Sequence, residues 1–199
     1  FNDFPEIYES SVSLSANATN KYLVNSEGTV IQHGLTHWRL GVYARTKAED
    51  GMDLYKYESF DAHSMGKMPD EEEVRQKIKL LTKELLALRA SPVAEPFTGP
   101  AILSGRASGV FFHEIFGHRI EGHRQKDEEE GQTFTKKINQ PVLPDFISVY
   151  DDPLQKSFGD KDLSGYYLYD DEGIKAGPRH LLKDGIFQEM LHNRESAAF

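Results

Sequence analysis

The sequence predicts an α+β protein: mostly antiparallel β-sheet, one amphipathic packing helix and one helix bearing a metal-ligating motif. Three observations predict it. Residues 1–63 read as strands separated by Gly-bearing turns. Residues 70–90 carry one apolar stripe at helical spacing. An apolar run, Val110-Phe111-Phe112, leads into His113-Glu114-Ile115-Phe116-Gly117-His118 and reads as the start of a helix. The expected organisation is a β-hairpin region over 1–69, a packing helix over 70–91, and a β-rich region with the motif helix over 92–199.

In the first region, Val12, Leu14 and Ala16 alternate with Ser11, Ser13 and Ser15, the period of a half-buried strand. Residues 21–25 and 29–33 flank Ser26-Glu27-Gly28, a hairpin loop with Gly where a positive φ is expected. Residues 37–46 and 52–60 form a second predicted hairpin around Glu49-Asp50-Gly51. Trp38, Tyr43, Tyr55 and Tyr57 fall in these strands, where cross-strand packing is the expected role of an aromatic.

Asp70 is a good helix N-cap with Glu73 three residues on, in the manner of a capping box. Val74, Ile78, Leu81, Leu85 and Leu88 form the stripe, widened by Leu80 and Leu86. Glu71-Glu72-Glu73 sits at the positive end of the helix dipole and Arg89 at the negative end, so the acidic run reads as a helix terminus. Ser91-Pro92 ends the element. Residues 92–99 are a connector, residues 101–103 a short buried strand, and Ser108 the expected N-cap of the motif helix. Residues 125–137, which include Asp127-Glu128-Glu129-Glu130-Gly131, read as a solvated surface loop beside the motif. Strands are expected over 147–150, 166–169, 179–182 and 186–191. Turns fall at Asp151-Asp152-Pro153 and at residues 170–173, where Asp serves local hydrogen bonds.

Two imidazoles and a carboxylate within six residues supply what a hydrolytic zinc site needs. His113 and His118 offer neutral nitrogen ligands, and Glu114 a carboxylate to take a proton from water. The spacing is His-Glu-x-x-x-His. On an ideal α-helix, residues i and i+5 point about 140° apart, so an undistorted helix would aim the two imidazoles at different neighbours. Shared ligation requires a π-bulge or a break at Gly117, and a straight helix over 110–124 would argue against it. The competing reading is a set of ordinary, solvated histidines. Glu121, three residues after His118, is placed to accept the imidazole N–H and fix its tautomer, or else is a solvated helix residue. His123 repeats the five-residue spacing and reads as a surface residue before a ligand.

The chain has 199 residues, a net charge of −9 and no cysteine. The charge argues against a phosphate-binding surface, because affinity for nucleic acid depends on Lys and Arg. No apolar run approaches the roughly 20 residues of a spanning helix. Without cysteine there are no disulfides.

The motif and its flanks resemble a known family. Gly99-Pro100-Ala101-Ile102-Leu103 and Gly109-Val110-Phe111-Phe112-His113-Glu114-Ile115-Phe116-Gly117-His118-Arg119-Ile120-Glu121-Gly122 are similar to the signature of the TldD/PmbA metalloproteases, historically called modulators of DNA gyrase. Tyr22-Leu23-Val24-Asn25-Ser26-Glu27-Gly28-Thr29 resembles the family's upstream hairpin. Val149-Tyr150-Asp151-Asp152-Pro153, Tyr169-Asp170-Asp171-Glu172-Gly173 and Leu182-Lys183-Asp184-Gly185-Ile186 resemble its downstream strands and turns. The resemblance implies zinc bound by His113 and His118, with Glu114 as general base. It also implies small or unfolded peptides as substrates, a homo- or heterodimer with a family member, and a cytoplasmic setting. The family's further metal ligand is a downstream cysteine, which this chain lacks, so the chain reads as a central fragment of a larger protein. A non-catalytic binding or scaffold subunit, and a metal-dependent hydrolase of non-peptide amides, remain alternatives.

Overall fold

A computed structural model describes residues 1, 3–126 and 132–198. In chain order the main elements are strands β1 (Ile7–Val24), β2 (Val30–Lys47) and β3 (Asp53–Ala62), helices α1 (Glu71–Arg89) and α2 (Gly105–Ile115), and strands β4 (Val149–Asp151), β5 (Ser157–Phe158), β6 (Lys161–Asp162), β7 (Arg179–Lys183) and β8 (Ile186–Phe187). The fold is α+β, and its sheets are antiparallel. It divides into two compact units, residues 1–96 with 155–166, and residues 97–154 with 167–199.

The first unit is a three-stranded sheet in the order β1-β2-β3. Its turns follow their glycines. Gly28 has φ +86° and Gly51 φ +89°, a left-handed backbone that a Cβ disfavours. Asn25 Oδ1 accepts the N–H groups of Glu27 and Thr29, which fastens the first turn. In the second hairpin Tyr43 lies opposite Tyr57 and stacks diagonally on Tyr55, ring centroids 6.0 Å apart.

Helix α1 starts where Asp70 Oδ1 accepts the Glu73 N–H at 2.8 Å. Leu81 and Leu85 on its stripe meet Val42 and Ala44 of β2, with Ile7, Leu54 and Ile78 around them. Leu80 and Leu88 remain exposed, so the buried stripe is narrower than the expected one. The half-buried face expected of β1 is also absent: Val12 is 53% and Leu14 55% exposed. The reason is lateral. Val12 lies opposite Val42 and Leu14 opposite Leu40; the face is the one α1 covers, but α1 packs mainly on β2 and β3. The hairpin β5–β6 completes this unit. The Asp162 carboxylate, its side chain 4% exposed, accepts the His63 N–H at 2.8 Å and pairs with Lys67 Nζ at 2.5 Å.

The second unit packs α2 and a small sheet, β4-β7-β8, around Phe116, Ile120, Leu181, Leu182, Phe187 and Met190. Asp184 and Gly185, with φ +50° and +77°, form the two-residue loop between β7 and β8 that an Asp-Gly pair favours. Residues 101–103 are not a strand: they are irregular and exposed, and α2 begins after Ser104 rather than Ser108. Residues 166–169 and 188–191 form no regular strand, only isolated bridges at Tyr169 and Leu191. The expected surface loop is only in part described, since residues 127–131 lie outside the described residues. Its return is exposed at residues 132, 133, 136 and 137 and anchored at Phe134, which packs against Phe116 and Phe187 with centroids at 5.7 Å and 5.3 Å. No helix among the described residues is long and apolar enough to cross a membrane.

Candidate metal centre

Helix α2 is held by one aromatic face and presents the other. Phe112 and Phe116 turn into the core, their centroids 5.6 Å apart, and Phe116 meets Phe187 edge-on. His113 and Glu114 therefore fall on the exposed side. The helix does not continue through the motif. The Phe116 N–H still reaches Phe112 O at 3.0 Å, but Phe116 takes φ −123° and ψ −52° and breaks the helix. Gly117–Ile120 then winds as a tighter 3₁₀ turn, and Glu121 is extended.

That break removes the mismatch of the five-residue spacing. The His113 and His118 rings come within 4.4 Å of each other, centroid to centroid. It falls one residue before Gly117, and space at Gly117 is not its cause: a Cβ there would sit 3.8 Å from His113 Nδ1, an ordinary contact. On either side of His118, Phe116 and Ile120 are buried in the core, which anchors the turn that carries the second imidazole.

The Nε2 atoms of His113 and His118 each lie 3.9 Å from an oxygen of Glu114. One ligand atom from each of the three residues falls within a 4.8 Å span, so among the described residues these three form a group that could hold a metal ion. Imidazole nitrogen and carboxylate oxygen are donor types that zinc takes, and bonds of about 2.0–2.1 Å would draw these side chains closer together than they stand here. The three side chains are exposed or half-exposed, so a cation has access.

Glu121 stands behind His118. Its Oε1 is 2.6 Å from His118 Nδ1, and its Oε2 accepts Arg124 Nε at 2.5 Å. Burial pushes the Glu121 carboxyl up, but the hydrogen bonds from Arg124 and His118 and the charge of the Arg124 guanidinium outweigh it, leaving the group below the ordinary carboxylate value. The backbone here is clamped. Leu191 donates to Ile120 O at 2.9 Å and accepts from Gly122 N at 2.7 Å. Arg124 and this clamp have no signature in the sequence, because their partners are defined only by the fold.

Other candidates sit elsewhere. His123 Nε2 is 3.6 Å from Glu121 Oε2, with an exposed ring. Asp152 accepts the Leu154 N–H, the turn role expected of it. Asp151 lines a separate cavity of about 300 Å³ with Tyr167, Asp170 and His192. Burial raises its carboxyl, and Asp152 adds to the shift.

Residues 97–199 match the family described as the PmbA/TldA metallopeptidase C-terminal domain. A metalloprotease of Archaeoglobus fulgidus is 30% identical over 128 residues, covering 64% of this chain and 27% of the relative. A protein of Saccharolobus solfataricus named zinc metalloprotease TldD homolog is 25% identical over 135 residues, covering 68% of this chain and 29% of the relative. The crystal structure of a Bacteroides thetaiotaomicron protein, named as a modulator of DNA gyrase, superposes with a TM-score of 0.71 at 15% identity. It covers 99% of this chain and 42% of that one. The chain thus spans well under half the length of each of these three proteins. With the family match extending over just more than half of the sequence, the chain belongs to the TldD/PmbA metallopeptidase family.

Proposed function

We propose that this chain carries the core of a zinc-dependent peptidase for small or unfolded peptides, with His113 and His118 holding the metal and Glu114 acting as general base. The observation that carries the reading is the convergence of these three side chains after the helix break at Phe116. The name of the Saccharolobus relative, a zinc metalloprotease, supports zinc as the metal. When bound, zinc would supply Lewis-acid chemistry, polarising the scissile carbonyl and acidifying a water. Glu114 takes the proton of the attacking water and passes it to the leaving amine, so one carboxylate serves both halves of the reaction. His113 and His118 contribute neutral donors held at the end of a packed helix, which limits the reorganisation needed at the site. The family resemblance supports a dimer with a second family member as the assembled form.

The test uses the full-length protein. Glu114→Gln is expected to keep stoichiometric zinc by elemental analysis and to lose on the order of 10²–10⁴ in kcat on unfolded peptides, the usual share of general acid–base catalysis. His118→Ala is expected to lose zinc and turnover together. Turnover that survives in Glu114→Gln removes Glu114 from the reaction. Wild-type protein that holds zinc but cleaves no peptide is a binding subunit, and one that cleaves only small amides is an amidohydrolase.

A further inference from the structure

We infer that Glu121 is a positioning residue that commits His118 to the tautomer protonated on Nδ1, leaving the Nε2 lone pair directed toward Glu114 and His113. The inference rests on the zinc reading for its consequence, but not for its geometry. A carboxylate can only accept hydrogen bonds. Arg124 Nε donates to Oε2 at 2.5 Å, which leaves Oε1, at 2.6 Å from His118 Nδ1, as the acceptor that draws the ring proton to that nitrogen. Arg124 Nη2 also lies 3.3 Å from Nδ1, but both are donors once Nδ1 is protonated, and the shorter charge-assisted contact decides. His123 Nε2, at 3.6 Å from Oε2, is beyond ordinary hydrogen-bond reach. The opposite ring nitrogen of His118 is the one 3.9 Å from Glu114 Oε2.

The position of the carboxylate is imposed by the backbone. Residue 121 is bracketed by the two hydrogen bonds to Leu191 that tie its neighbours Ile120 and Gly122. The approach is so close at Gly122 that a Cβ would stand 2.2 Å from His192 Nδ1 and 2.8 Å from Leu191 O. An i, i+3 pair between Glu121 and Arg124 on a solvated turn would need none of this. Metal-ligating histidines commonly donate their second N–H to a carboxylate, and losing that partner typically weakens metal binding 10–100-fold.

The experiment compares wild type, Glu121→Ala and Glu121→Gln in the full-length protein, with His118→Ala to assign the signal. Two quantities are read: the His118 tautomer by ¹⁵N-histidine NMR of metal-free protein, and the zinc dissociation constant by chelator competition. Wild type is expected to show Nδ1–H. Glu121→Ala is expected to shift to a mixture of tautomers and to bind zinc 10–100-fold more weakly. Glu121→Gln, whose amide oxygen still accepts the N–H, is expected to recover the tautomer and most of the affinity. An Nδ1–H signal unchanged in Glu121→Ala overturns the inference, as does a Gln variant no better than Ala. Should wild type bind no zinc, the zinc reading fails while the tautomer shift still tests Glu121.

Discussion

At the scale of single residues, close approach decides more than charge. Gly122 is the clearest case, because the atoms a side chain would strike include a backbone carbonyl that cannot give way. Gly122→Ala is expected to destabilise the second unit by about 1–3 kcal/mol, the usual cost of overpacking, read as a lower urea midpoint at unchanged slope. A midpoint equal to wild type would mean that the Leu191 segment moves aside freely. Much of the candidate site was legible at this scale. The residue types and spacing of His113, Glu114 and His118 singled them out, and three-residue spacing singled out Glu121. The exact position of the break was not legible: Gly117 is the residue that sequence reasoning offers, and the helix ends one residue earlier, at Phe116, a residue with no helix-breaking signature of its own.

At the scale of elements, the two hairpin turns and α1 were legible because each is specified locally, by turn glycines, a cap and a stripe; the continuity of β1 and β2 over 18 residues each was not, since the sequence reading divides them into shorter strands. Strands of two or three residues such as β5, β6 and β8 carry too few positions to show a period. Residues 155–166 illustrate the cost, since β6 is tied to the first unit by the Asp162 carboxylate and by His63, whose Nε2 lies 3.1 Å from Leu163 O and whose ring meets Tyr166, contacts that leave no local pattern. The His63 N–H, and then the Lys67 ammonium, hold Asp162 below the ordinary carboxylate value. A group depressed in the folded state binds protons more readily when unfolded. Its stabilisation is therefore complete above the unfolded value near 3.9 and is lost as pH falls through the folded value. Asp162→Asn is expected to be less stable than wild type at pH 7 by about 1.5–3 kcal/mol, the worth of hydrogen bonds to a charged group, with a smaller further loss on acidification. Parallel urea titrations at pH 7 and pH 3 check this; equal acid losses in both proteins would remove Asp162 as the source.

At the scale of the whole molecule, 32 acidic against 23 basic residues set the long-range field. Counterion release needs a surface rich in Lys and Arg. The chain is accordingly expected to leave duplex DNA unshifted at physiological salt, and a complex that weakens steeply with added salt would overturn that expectation. Charge and composition were the most legible properties at this scale. The discontinuous first unit was not, because the return of a distant segment leaves no periodic trace. The long first strand has a consequence of a different kind. β1 pairs with β2 alone among the described residues, and over residues 10–20 it carries no charge, no proline and no bulge to blunt its outer edge. At high concentration the isolated chain thus offers neighbouring molecules a ready template for intermolecular strand addition, so its shelf life in solution depends on colloidal behaviour as much as on folding stability.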